Sequence, residues 1–89
     1  MIITLNKFGT TLTSRQDGKE AYGAYLSTLE SVSDKEEISI DFDGVVTFTP
    51  SWADEFITPI LNTYGNRVKL LPTENPSVEA TLRLLETIK

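Results

Sequence analysis

Apolar positions along this chain switch between a period of two and a period of 3.6, and the switches divide it into elements. Met1 to Leu5 is a short apolar run with two Ile and a Thr, which suits a strand. Asn6-Lys7 and Gly9 then offer turn chemistry before Thr10-Thr11-Leu12-Thr13, so the pattern predicts an N-terminal β-hairpin. Ser14 stands three residues before Asp17, the spacing of a capping box, and starts a first helix. Tyr22, Tyr25, Leu26, Leu29 and Val32 fall on one face of it, a face expected to lie on a sheet. Gly18 and Gly23 each cost about 1 kcal/mol relative to Ala inside a helix. Either the helix starts late or it packs closely against something at those points.

Residues 33–37 form a polar connection to the clearest strand, where Ile38, Ile40 and Phe42 alternate with Ser39 and Asp41. The turn Asp41-Phe42-Asp43-Gly44 follows at its carboxyl end, where open α/β sheets bind ligands. A second helix starts at Thr49 with Pro50 in the first helical position, or at Ser51 with Asp54 answering three residues later. Its apolar stripe is Ala53, Phe56, Ile57, Ile60, Leu61 and Tyr64, with Gly65 as the stop and a bend expected at Pro59. Arg67 to Leu71 reads as a further strand. Asn75-Pro76 opens a last helix that buries Val78, Leu82, Leu85 and Ile88, with Leu84 on its flank.

Strands alternating with helices over 89 residues predict one α/β domain spanning residues 1–89. A chain of this length buries only about 60 to 65% of its unfolded surface, so the core has little margin and the domain stands alone or as a small homo-oligomer. The absence of Cys and His removes disulfides, thiol nucleophiles, zinc-finger sites and the usual general base. A metal would have to bind carboxylates, and the reading calls for neither metal nor cofactor. The formal charge of -5 disfavours nucleic acid and anionic membrane as partners, because both demand positive patches. No run approaches the ~20 apolar residues of a membrane span and no leader pattern opens the chain, so the expected compartment is the cytoplasm.

The charge is concentrated. Seven acids (Asp34, Glu36, Glu37, Asp41, Asp43, Asp54, Glu55) and one base, Lys35, lie between positions 34 and 55, and the remaining charges nearly cancel. The candidate surface is therefore the strand-turn-helix from Asp41 to Glu55, with Asp41, Asp43, Thr49, Ser51, Trp52, Asp54 and Glu55 as its residues. Trp52, on the opening turn of the helix, serves either as core or as an exposed interface anchor. Arg15, at the start of the first helix, is a candidate ion-pair partner for Asp54 or Glu55 at the start of the second. Such a pair carries weight if partly buried and little if exposed.

Three pieces of the sequence carry a resemblance: Phe8-Gly9 with Leu12-Thr13-Ser14-Arg15, then Ile40-Asp41-Phe42-Asp43-Gly44-Val45, then Ser51-Trp52-Ala53-Asp54-Glu55-Phe56. Together they resemble the small prokaryotic STAS-like domains of the DUF4325 family, from about Phe8 to the C-terminus. The resemblance implies a single mixed sheet of about four strands with about three helices packed on it, related to the STAS fold of anti-sigma-factor antagonists. In those proteins the matching strand-turn-helix docks on a histidine-kinase-like ATPase that acts as a serine kinase, and a Ser at the helix start accepts phosphate. Here Pro50 occupies the acceptor's place, Thr49 that of the Asp before it, and Ser51 that of the following serine. Phosphorylation would thus move to Ser51 or Thr49, against the charge of Asp54 and Glu55, which the reading puts in the first turn; otherwise both residues are simple helix caps.

The resulting expectation is a regulatory or protein-interaction module without catalytic machinery, partnered by a histidine-kinase-like ATPase or another regulatory protein. A rival comes from Asp41-x-Asp43-Gly44-Val45 after an apolar strand, which also resembles the first motif of haloacid-dehalogenase-type phosphatases, with Asp41 as nucleophile, Asp43 as acid/base and magnesium between them. That fold needs a longer chain and an acidic pair on a later strand, whereas Glu74, Glu79 and Glu86 fall in loop or helix. A structural, self-associating domain is the third alternative.

Overall fold

A computed structural model of the chain describes residues 1–88, with side chains through Glu86. Five short strands and three helices follow in the order β1 (Ile2–Thr4), β2 (Thr11–Leu12), α1 (Arg15–Glu30), β3 (Ile38–Asp41), β4 (Thr47–Phe48), α2 (Pro50–Tyr64), β5 (Val68–Leu70) and α3 (Pro76–Ile88). Single 3-10 turns at Leu5–Phe8 and Gly65–Arg67 lead out of β1 and into β5.

The sheet differs from expectation in two ways. There are two parallel sheets instead of one mixed sheet: three strands in the order β1-β3-β5, and the pair β2-β4. The N-terminal hairpin does not form either. β1 runs parallel to β3, with Ile3 beside Ile40, and β2 runs parallel to β4, with Leu12 beside Phe48. The reason lies in the intervening turn, where Leu5 is fully buried; anchoring Leu5 in the core carries the chain from one sheet to the other instead of reversing it beside β1.

Ile3, Ile38, Ile40 and Val68 form the covered face of the larger sheet, while Ile2 and Lys69 are exposed and Ser39 and Asp41 half-buried on the other. The predicted alternation of β3 is thus the observed one. Helix α2 fills the centre, with Ala53, Phe56, Ile57 and Ile60 fully buried and Leu61 and Tyr64 half-buried along its stripe. It continues unbroken through Pro59; the apolar residues buried on both sides of the proline hold the helix together across the missing hydrogen bond.

Helix α1 packs against α2 instead of lying on the sheet. The close approach is made by Gly18, where a Cβ would stand 2.6 Å from the Trp52 carbonyl oxygen; Gly23 has nothing within 4 Å. Tyr22 and Tyr25 of α1 meet Phe56 edge-on or tilted, at centroid distances of 6.4 and 6.5 Å. Phe56 stacks on Trp52 at 4.9 Å, and Phe8 and Phe48 complete the cluster. Along α3, Val78 and Leu85 are buried, Leu82 half-buried and Leu84 exposed; the Ile88 side chain lies outside the described residues. No helix among the described residues is long and apolar enough to cross a membrane.

Candidate functional site

The turn after β3 is held from three directions. Asp41 Oδ1 accepts from the Asp43 amide at 3.0 Å, and the Val45 amide donates to the Phe42 carbonyl at 3.1 Å. Gly44 adopts φ +84°, a backbone angle that favours glycine, and an added Cβ would press on the Asn6 side chain, 2.5 Å from Nδ2 and 3.2 Å from its Cβ. The far side of the turn is gripped by Asn75: its Nδ2 donates to the carbonyls of Val45 (2.7 Å) and Val46 (3.0 Å). Asn75 Oδ1 meanwhile accepts from the amides of Ser77 and Val78 and caps α3. One side chain thus ties the acidic turn to the start of the last helix.

Between them lies a cleft of about 380 Å³ lined by Asp41, Asp43, Gly44, Thr73, Glu74 and Asn75, among others. It opens at the carboxyl ends of β3 and β5, where the sequence places a site. Asp43 is exposed and Asp41 half-buried, while Val46, two residues past Gly44, is 64% exposed. Among the described residues no group of three or more His, Cys, Asp or Glu side chains is arranged to hold a metal ion.

β4 is secured by a second device, one without a local signature in the chain. Ser77 Oγ accepts from the Phe48 amide at 2.9 Å and donates to the Phe48 carbonyl at 3.0 Å, and Thr81 Oγ1 donates to that carbonyl at 2.7 Å. Hydroxyls of α3 therefore satisfy the free edge of a two-residue strand. The partners are 29 and 33 residues apart, and no local pattern links them.

At the entrance of α2, Thr49 has the backbone of an N-cap and Pro50 the first helical position, but Thr49 Oγ1 donates to the Thr13 carbonyl at 2.7 Å instead of capping. This bond joins the approaches to α1 and α2. Ser51 lies inside the first turn, half-buried, so the alternative of Ser51 as cap is replaced by Thr49 and Pro50. Asp54 and Glu55 fall in the second turn, and the first turn carries no acid, which corrects the expected placement. Trp52 is 1% exposed in the aromatic cluster. Its burial removes it from the contact surface proposed for residues 41 to 55.

Arg15 Nη1 lies 2.9 Å from Asp54 Oδ2 and 3.7 Å from Glu55 Oε2. The hydrogen bond from Arg15 holds the Asp54 carboxyl below its ordinary value, with Thr58 Oγ1 donating to the same group, and Asp54 in turn raises the Arg15 guanidinium. All three side chains are substantially exposed, so the cluster orients the two helix entrances more than it stabilises the fold.

A family model described as a STAS-like domain of unknown function, DUF4325, matches residues 25–78, more than half of the chain. The chain belongs to this STAS-like family. The matched span contains β3, the acidic turn, α2 and β5; the Phe8-to-Arg15 part of the resemblance lies outside it. No curated protein and no solved structure matches the chain.

Proposed function

We propose that this STAS-like domain is a non-catalytic regulatory module that binds another protein through the surface from Asp41 to Glu55. The observation that carries the reading is the exposed Val46 side chain, three residues after Asp43 in the chain, on a segment whose backbone is gripped by Asn75. An exposed apolar side chain in an acidic segment, on backbone held by hydrogen bonds, suits recognition of an apolar patch with a basic rim. The partner class is a histidine-kinase-like ATPase or a comparable regulatory protein, which rests on the likeness to anti-sigma-factor antagonists. Ser51 is the better phosphoacceptor of the two candidates, since the Thr49 hydroxyl is committed to Thr13.

The test is affinity purification from the native host of the wild type, Val46→Asp, Asp43→Lys and a distant control, Asn62→Lys. A partner retained by the wild type and the control and lost with the two turn variants supports the reading. The same proteins recovered by all four would contradict it. Phosphopeptide mapping of the same material reads Ser51 and Thr49 directly. The rival phosphatase predicts turnover of a generic phosphate ester with magnesium that disappears in Asp41→Asn, and such turnover would replace the binding reading.

A further inference from the structure

A groove of about 430 Å³ runs between β2 and the first two turns of α1. Phe8, Leu12, Ala21 and Trp52 form its apolar base, with Phe8 only half-buried. Asp17 and Glu20 form one wall. Three residues apart on a helix, their side chains rise from the same face as neighbours. Neither carboxylate has an ion-pair partner among the described residues; Glu20 receives only a hydrogen bond from Gln16 Nε2 at 2.9 Å. Lys7, the nearest base in sequence to Phe8, is held over the Tyr25 ring at 4.5 Å and does not line the groove.

The opposite wall includes Thr11 of β2. Among the described residues β2 pairs only with β4, in parallel, through the carbonyls of Thr10 and Leu12. In such a ladder the N–H and C=O of the intervening Thr11 point away from the partner strand. Among the described residues the groove therefore has an open strand edge on one side and two carboxylates without an ion-pair partner on the other, with an aromatic ring between.

We infer that this groove is a second docking surface, distinct from the cleft at the acidic turn, for an extended segment of a partner protein carrying a Lys or Arg side chain. The segment adds its main chain to the Thr11 edge, as peptides do when they extend a sheet. Its aliphatic stem lies on Phe8 and Leu12, and its cationic head sits between Asp17 and Glu20. Charge selects this occupant over the others. An apolar segment would cover two carboxylates and leave them without partners. A second copy of this chain placed symmetrically would bring four carboxylates together, and an anion meets the wrong sign altogether.

The experiment is a titration of the isotopically labelled protein, followed by amide and indole NMR shifts, with the capped peptide acetyl-Thr-Val-Arg-Val-Thr-amide. A second peptide carries citrulline in place of Arg, neutral and of nearly the same shape. Expected are saturable shifts at Thr11, Asp17, Glu20 and the Trp52 indole. Replacing Arg by citrulline, or making the double variant Asp17→Asn/Glu20→Gln, weakens binding about five-fold, as expected for losing two partly exposed ion pairs. Glu20→Gln alone, on the exposed face of α1 and away from its cap, gives about half that effect on a logarithmic scale and covers the case in which the double variant folds poorly. Absence of saturable shifts, shifts at residues 41–46 instead, or equal binding of the citrulline peptide would overturn the inference. Absent shifts and equal binding of the citrulline peptide do not bear on the Val46 surface, and shifts at residues 41–46 would favour it, so the two proposals fail separately.

Discussion

Alanine at Gly18 and at Gly23 should have opposite effects, although both glycines lie in the same helix and both cost it the same intrinsic propensity. At Gly23 the new methyl meets nothing within 4 Å, so the variant collects the helix-propensity gain of about 0.5 to 1 kcal/mol. At Gly18 the methyl would sit 2.6 Å from the Trp52 carbonyl oxygen and 3.1 Å from its Cα. These are backbone atoms in the opening turn of α2, so relief requires moving one helix against the other. Forcing an extra methyl into a packed interface costs about 1 to 3 kcal/mol, which the propensity gain only partly offsets. The two variants should then differ by about 2 kcal/mol. In a domain of this size that corresponds to roughly 8 to 16 °C in Tm, with Gly23→Ala above the wild type and Gly18→Ala below it. Urea unfolding of the three proteins measures the difference. If Gly18→Ala proves as stable as Gly23→Ala, α1 does not pack on α2 through this glycine and the arrangement of the two helix entrances is wrong.

Two further substitutions examine the supports of the acidic turn and of the helix entrances. Asn75→Ala removes a helix cap and two hydrogen bonds to the turn and should cost about 2 to 3 kcal/mol in urea unfolding, while Asn75→Asp keeps the cap, loses the donors and should fall between. Both should speed amide exchange at Val45 and Val46, and unchanged exchange would show that the turn does not depend on Asn75. Arg15→Ala should leave the neutral-pH melting temperature nearly unchanged, because the pair with Asp54 is exposed. Its effect has a pH signature: the Asp54 pKa is lowered in the folded state, so the contribution is present above the unfolded aspartate range and is lost as pH falls through the folded value. The wild-type and variant melting curves should converge in acid, and a difference that grows in acid would contradict the pairing.

Elements written by periodicity and capping were legible in the sequence. Ser14 accepts from the Asp17 amide as its spacing implied, Thr49-Pro50 and Asn75-Pro76 open their helices, and β3 with the residue after it buries Ile38, Ile40 and Phe42. Strand partnership was not legible. Two apolar runs separated by Asn6-Lys7-Phe8-Gly9 look like a hairpin, but the preference of β1 for β3 and of β2 for β4 is decided by the burial of Leu5 and by contacts across more than 30 residues. The same distance hid Ser77 and Thr81, whose hydroxyls complete the edge of β4. Trp52 shows the limit at the candidate site itself: its place one residue off the predicted stripe suited either core or surface, and the glycine that lets α1 close over its backbone, Gly18, lies 34 positions away.

We propose that the turn around Val46 is where this domain meets its partner. A photo-crosslinking amino acid placed at position 46 in the native host, with the same residue at exposed position 62 on α2 as the control, tests it most directly. Docking at this turn should give a discrete adduct from position 46 that is absent from position 62 and disappears when Asp43→Lys is added. An adduct pattern that is the same from both positions, or one from position 46 that survives the charge reversal unchanged, would contradict it.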